Sequence, residues 1–235
     1  MDTNLLSEGM PWEIPRLSGD QVSRLTAGLN YDTYRKNEYL QVTNSDKNYV
    51  WLIKEGQVIL EMLNANGNIQ YVFFLTNGNF FRETPAFLSR VSILGNYRFM
   101  RDTTVYKISL TVLFERLSKN SDCLSLFFQS HMSKYNILMT RHKMSLLSSS
   151  ADQVKRILYW LFLSYSVESQ SEGYKYQLKK NLDDFKITHQ LIANMAGISR
   201  VSVSNIFLEL YCNKVLLNTP DYYYLKDLIY LTDMR

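Results

Sequence analysis

The 235-residue chain is poor in the residues that carry redox and metal chemistry, with two cysteines and three histidines. Cys123 and Cys212 lie far apart and form no CxxC. That excludes a disulfide scaffold or thiolate metal site and predicts structural thiols in a reducing compartment. No histidine precedes His131, which argues against a metal-bearing cupin-like enzyme in the N-terminal half, since such sites depend on imidazole ligands. Three scattered histidines without an acidic cluster offer no nucleophile–base or metal constellation, so no enzyme, catalytic residue, metal or cofactor is expected. Long apolar runs are also lacking. The strongest, ILYWLFL at 157–163, falls far short of the roughly 20 residues that span a bilayer. The N-terminal MDTNLLSEGMPWEIP has neither a basic start nor an apolar core, so no signal segment and no membrane association are expected, and a cytoplasmic protein is predicted. Charge of one sign is modest: +4 net permits an anionic partner without demanding one.

What is present divides by texture. Hydrophobic residues make up 46% and charged residues 20%, with 17 tyrosines and 12 phenylalanines, an ordinary globular balance that leans towards strands. A short amphipathic helix is expected near 19–28. From Tyr34 to Ser109, runs such as YVWLI, QVILEML, IQYVFFL and TVYKISL alternate with the turn signals NSDKN, KEG, NANGN and TNGN. This spacing predicts an all-β sandwich or barrel, with a hairpin at Asn66-Gly67. Thr111–Leu117 then reads as a short helix and Asp122–Leu147 as a long one. Leu124, Phe127, Phe128, Met132, Tyr135, Leu138 and Met139 recur along the long helix at near-heptad spacing. Such a helix is ~40 Å long. It is either a core helix or the seam of a homodimer. SLLSSSADQ (145–153) is the one serine-rich break and reads as a hinge. Beyond it come an apolar helix at Val154–Tyr165, a polar loop SVESQSEG, a strand in YKYQLKK, a helix pair, and two short strands in VLLNTPDYYYLKD around a Thr-Pro-Asp turn.

The helix pair HQLIANMAGISRVSVSNIFLEL (189–210) has the parts of a helix-turn-helix. Ala193 is small where the helices cross, and Gly197 can take the left-handed turn. Ile192, Ala196, Ile198, Val203 and Ile206 fill interior positions, and Thr188 and Ser199 stand as N-caps. A merely structural hairpin needs the same packing. The outer face of the second helix separates the two readings. Ser199, Arg200, Val201, Ser202, Ser204 and Asn205 occupy its start in place of strong helix formers, and short hydrogen-bonding or methyl-bearing groups suit base edges and phosphates. Against this, residues 151–235 hold ten Lys/Arg and nine Asp/Glu, so a basic field exists only if Lys155, Arg156, Lys175, Lys179, Lys180, Lys186 and Arg200 cluster. The alternative is an effector-binding or protein-interaction module whose helix pair does not touch DNA.

A β-domain, a long helix, a hinge and a winged helix-turn-helix together resemble the CRP/FNR family of bacterial transcription regulators, over roughly residues 20–225. YVWLIKEGQVILEMLNANGNIQYVFFLTNGNFFRE is similar to the family's roll, with Gly56, Gly67 and Gly78 at turns and G-x-F-x-x-E at Gly78, Phe80 and Glu83. AGISRVSVSNI is similar to its recognition-helix motif. Members that bind cyclic nucleotides carry an Arg-Ser pair for the phosphate. Here Ile93 and Leu94 hold those places, Arg82 replaces a small residue before Glu83, and Arg141-His142 stand where a polar pair meets the purine. Two aliphatic side chains cannot balance a buried phosphate, and no N-terminal cysteine cluster supports an iron–sulfur centre.

The resemblance therefore implies the branch without the cyclic-nucleotide signature, which includes halorespiration and virulence regulators. Its implied fold class is α+β. A β-roll (cupin-like jelly roll) effector domain spans 1–118, a long dimerisation helix and hinge 119–148, and a winged helix-turn-helix 149–235. The implied function is a sequence-specific transcription activator controlled by a small-molecule effector. Implied partners are a palindromic double-stranded promoter site, the unidentified effector, a second copy through the long helix, and RNA polymerase. Thr188, His189, Ser199, Arg200, Val201, Ser202, Ser204 and Asn205 are the expected DNA contacts. Phe80, Phe81, Arg82, Glu83, Tyr97, Phe99, Tyr135 and Met139 are the expected effector pocket. Arg82, Arg90, Arg98 and Arg101 either select an anionic ligand or are scattered surface residues. Family members commonly read bases with Arg-Glu and a later Arg; Arg200, Val201 and Asn205 hold those positions. Val201 suits a thymine methyl and Asn205 an adenine, which predicts an A/T-rich half-site.

Overall fold

The computed structural model describes residues 14–87, 95–182 and 185–232. The chain forms two compact units, Met1–Met62 with Val72–Thr140, and Leu63–Tyr71 with Arg141–Arg235.

In the first unit, α1 (Gly19–Thr26) starts at Ser18, where Ser18 and Gln21 exchange hydrogen bonds in a capping box. Seven strands follow: β1 (Tyr31–Tyr34), β2 (Tyr49–Glu55), β3 (Gln57–Leu63), β4 (Ile69–Thr76), β5 (Phe80–Phe81), β6 (Asn96–Phe99) and β7 (Thr103–Ser109). They make a four-stranded sheet in the order β1-β7-β2-β5 and a three-stranded sheet in the order β4-β3-β6. The continuous apolar run of β2 is explained by burial on both faces, because successive strand side chains point to opposite sides. Trp51 and Ile53 join Val58, Leu60, Val72, Phe73, Phe81 and Phe99 in one core. Val50 and Leu52 turn the other way, to Leu25, Phe80, Ile108, Leu113 and Phe127. The second core is closed by α1, α3 (Leu110–Ser118) and α4 (Ser121–Leu147). This is the α+β roll with helices that the resemblance implies.

The predicted hairpin forms between β3 and β4, with Gly67 at φ +75°. Its loop is five residues long and is organised by Asn64, whose side-chain oxygen accepts from the N–H groups of Asn66 and Asn68 at 3.0 Å each.

The apolar stripe expected on α4 divides between two faces. Cys123, Phe127 and Ile137 are buried, whereas Phe128, Met132, Tyr135, Leu138 and Met139 are 44–61% exposed. A single seven-residue register misses this, because an α-helix with two apolar neighbours drifts between them. The serine-rich break is only Ser148–Ser149, and Ser149 caps α5 (Ser150–Tyr165) by exchanging hydrogen bonds with Asp152.

In the second unit, α5 packs with α6 (His189–Ala196) and α7 (Arg200–Cys212) around Leu158, Leu161, Phe162, Ile192, Ala193, Val203 and Phe207, all at 0% exposure. An antiparallel sheet has the order β10-β11-β9-β8, formed by β8 (Ser166–Glu168), β9 (Tyr176–Lys179), β10 (Leu216–Asn218) and β11 (Tyr222–Leu225). The segment read as a polar loop thus begins with an edge strand, whose pairing with β9 supplies the order that its own composition does not. A short helix α8 (Ile229–Thr232) follows. No single helix among the described residues is long and apolar enough to cross a membrane.

Candidate nucleic-acid interface and ligand cavity

Both N-caps of the helix pair act as expected. Thr188 accepts from the Leu191 N–H and Ser199 from the Ser202 N–H, each at 3.0 Å. Gly197 adopts φ +71°, ψ 30°, and the helices meet with a bend of 113°. A side chain at Gly197 would be strained in that left-handed conformation. Ala193 is fully buried where the helices cross, and the absence of a larger side chain there lets them approach. Val203, Ile206, Phe207 and Leu210 face inward along α7. Residues one and two positions away therefore face out: Arg200, Val201 and Asn205 are exposed, and Ser202 and Ser204 half-buried.

His189 and Ser204 are tied together across the pair, His189 Nδ1 lying 3.0 Å from Ser204 Oγ, with the ring centroid 4.4 Å from that of Phe207. Burial lowers the His189 pKa, and the nearby charges of Arg200 and Lys180 lower it further. Lys180 itself is bound to the wing between β10 and β11, through the Asn218 side chain and the Thr219 carbonyl, with its ammonium 4.5 Å from the Tyr223 ring centroid. Its pKa is also lowered, by burial first and by Lys186 after it, while Asp221 opposes. The even charge balance of the C-terminal region therefore conceals a local bias. Lys180, Lys186 and Arg200 converge near the N-terminus of α7, where the helix dipole adds positive potential. Lys175 does not join them, being paired with Asp227.

The first unit contains a cavity of about 350 Å³. Its apolar wall is Leu60, Met62, Val72, Phe73, Leu75, Phe81, Tyr97, Tyr135 and Leu138, and its polar members are Glu83, Thr84, His131 and Lys134. Of the eight residues expected in the pocket, Phe81, Glu83, Tyr97 and Tyr135 line this cavity. The other four do not, each for a visible reason. Phe80 faces the opposite core, edge-on to Phe127 at 5.0 Å. Phe99 stacks on Tyr34 at 4.1 Å. Met139 is 48% exposed on α4. Arg82, in the left-handed region at φ +63°, directs its guanidinium over Trp51 and donates to the carbonyls of Asp46 and Tyr49.

The arginines do not form an anion site together. Arg98 pairs with Glu61 at 2.9 Å, Arg101 donates to the Gly56 carbonyl, and Arg90, like Ile93 and Leu94, lies outside the described residues. Arg141 donates to the carbonyls of Tyr71 and Met195, and burial lowers its pKa to about 10.

The polar end of the cavity is the part that sequence reasoning missed. Lys134 Nζ donates to Glu83 Oε1 at 2.5 Å and to the Phe80 carbonyl at 2.6 Å, and the two side chains are 8% and 6% exposed. Tyr97 Oη accepts from the Arg82 N–H at 3.2 Å and keeps its own proton. His131 Nδ1 is buried with no hydrogen-bond partner among the described residues. Lys134 sits one turn from His131 and from Leu138 on α4, so i, i+3 and i+4 spacing was the available signal. Among the described residues, no group of three or more His, Cys, Asp or Glu could hold a metal ion.

No family profile matches the chain. It is 27% identical over 207 residues to the HTH-type transcriptional regulator ArcR of Staphylococcus epidermidis, covering 83% of this chain and 82% of that one. Among solved structures, it superposes on CprK complexed with OCPA with a TM-score of 0.72 at 14% identity, covering 95% of this chain and 99% of that one. It superposes on CooA from Carboxydothermus hydrogenoformans with a TM-score of 0.71 at 18% identity, covering 99% and 96%. These relatives and fold neighbours are transcriptional regulators and not enzymes.

Proposed function

From a chain with the fold of the CRP/FNR regulators, we propose a sequence-specific, DNA-binding transcription regulator. It acts as a dimer, and an effector other than a cyclic nucleotide controls it. The observation that carries this reading is the exposed start of α7. Arg200, Val201 and Asn205 lie open on its first two turns, with Lys180 and Lys186 contributing positive charge beside them. Arg200 reads at most one guanine, Val201 packs on a thymine methyl and Asn205 pairs with adenine, so the half-site is A/T-rich. Thr188, His189, Ser199, Ser202 and Ser204 serve phosphates or hold the reading residues in place.

Two copies associate through the exposed face of α4, where Phe128, Met132, Tyr135, Leu138 and Met139 form an apolar stripe too long for isolated surface residues. Two recognition helices then enter successive major grooves ~34 Å apart on an inverted repeat. The cavity beside α4 is the effector site. Its wall shares Tyr135 and Leu138 with the stripe, so occupancy biases how the helices pair. CprK, with the same fold, is known complexed with OCPA, which supports a small-molecule ligand for this fold. Cyclic nucleotide is disfavoured because the one ammonium on the cavity wall is already neutralised by Glu83 and Arg141 is committed to backbone carbonyls. The regulator activates by contacting RNA polymerase.

Selection from random duplex DNA tests the reading. Recovery of an A/T-rich inverted repeat is expected, with affinity falling as salt rises. A G/C-dominated half-site would refute the assignment of Val201 and Asn205. Absence of any salt-dependent duplex binding would favour an interaction module with a structural helix pair.

A further inference from the structure

Taking the cavity as the effector site, we infer that it accepts an uncharged, ring-bearing apolar compound with one hydrogen-bonding group, and excludes carboxylates, sulfonates and phosphates. The cavity is of small-molecule size, about 350 Å³, and mostly apolar. Any charge that enters it leaves water for hydrocarbon, so it needs a countercharge on the wall. Lys134 is the one cation on that wall, and its ammonium is already held by Glu83 at 2.5 Å and by the Phe80 carbonyl at 2.6 Å. The pair is neutral as a unit. An anion would have to break it and strand Glu83 in a site where that side chain is 6% exposed. The other cation nearby, Arg82, is turned away towards Trp51 and the Asp46 and Tyr49 carbonyls. A cation is opposed by the same symmetry, since Glu83 is taken up by Lys134.

What the wall does offer is neutral hydrogen bonding. His131 Nδ1 is buried and without a partner, and the Tyr97 hydroxyl accepts from the Arg82 N–H while its proton stays free to donate. One hydroxyl, amine or amide on the ligand meets these groups, and its rings meet Leu60, Phe73 and Leu75.

Two fluorescent probes with the same ring skeleton separate the possibilities: uncharged N-phenyl-1-naphthylamine, and 8-anilinonaphthalene-1-sulfonate, which adds a sulfonate. Both are titrated into the full chain and into Leu138→Trp, which fills the cavity from its exposed rim. The component of binding lost in Leu138→Trp reports the cavity alone. Within it, the uncharged probe should bind at least tenfold more tightly than the sulfonate. Glu83→Gln frees the Lys134 ammonium and should raise cavity binding of the sulfonate at least tenfold, reversing the preference. Thr84→Lys, at an exposed lining position, adds an uncompensated cation without touching the buried pair, and should shift the ratio the same way even where Glu83→Gln folds poorly. Equal cavity binding of both probes by the unaltered chain, or a ratio unmoved by Thr84→Lys, overturns the ligand class. Undiminished binding of the uncharged probe by Leu138→Trp overturns the cavity reading itself.

Discussion

Removing Lys134 alone should be far more damaging than removing it together with Glu83. Both side chains are more than nine-tenths buried, and the ammonium satisfies two acceptors, the Glu83 carboxylate and the Phe80 carbonyl. Lys134→Met leaves a buried carboxylate with no cation. Breaking one partner of such a pair costs about 3–5 kcal/mol. The Phe80 carbonyl, left without its donor, belongs to the same loss, at about 1–3 kcal/mol for an unsatisfied buried acceptor. In Glu83→Gln/Lys134→Met the charge is gone from both sides, methionine occupies the lysine stem's volume, and the glutamine amide can still hydrogen-bond. The double variant should therefore fall within about 1 kcal/mol of the unaltered chain, because neutral replacement of a buried pair is often nearly free. Equilibrium urea unfolding of all four proteins gives the coupling from a double-mutant cycle. A Lys134→Met cost below about 1 kcal/mol, or a double variant as unstable as the sum of the two singles, would refute the description of the pair as a charge-balanced unit.

Three other outcomes are expected. Arg200→Ala should weaken binding to the selected site by about 1–3 kcal/mol and relax its sequence preference, measured by fluorescence anisotropy on matched and scrambled duplexes; a uniform loss on every sequence would make Arg200 a phosphate contact. Met132→Glu places a charge in the exposed stripe of α4, where methionine is 61% exposed, so it should shift the chain to monomer in analytical ultracentrifugation while leaving the monomer folded. Asp46 is nearly buried; burial alone would raise its pKa, but Lys107 and Thr43 overcome this and hold it at about 2, below the ordinary 3.8. A folded-state pKa below the unfolded one contributes stability that is fully present above the unfolded value and fades as pH falls through the folded one, here about 2 kcal/mol. Acid unfolding of Asp46→Asn should accordingly lose that component between pH 4 and 2, and an unchanged acid limb would show that the Lys107 contact contributes little.

The helix-turn-helix was legible residue by residue, because its requirements are local. Thr188 and Ser199 cap their own helices, Gly197 takes its own left-handed turn, and inward and outward positions on α7 follow from 3.6 residues per turn. The effector cavity was only half legible. Phe81 and Tyr97 line it, but Phe80, one residue from Phe81, points into the opposite core, and Phe99, two from Tyr97, is spent on Tyr34. Adjacent strand residues alternate faces, yet which face belongs to the cavity depends on what packs above each sheet. Ser166–Glu168 illustrates the same limit, since a polar segment becomes a strand only when β9 offers its open edge.

By itself, then, the order of residues determined the strand-rich first half, the long helix, the helix pair with its caps and turn, and the residues offered on the outer face of α7. These rest on backbone preference and on periodicity within one element. Tertiary structure alone decided the joining of Lys134 to Glu83, 51 positions apart, the loss of Arg82 to Trp51, and the gathering of Lys180, Lys186 and Arg200 near one helix end. Charges separated along the chain interact through space, where burial strengthens each contact and no sequence spacing encodes the distance.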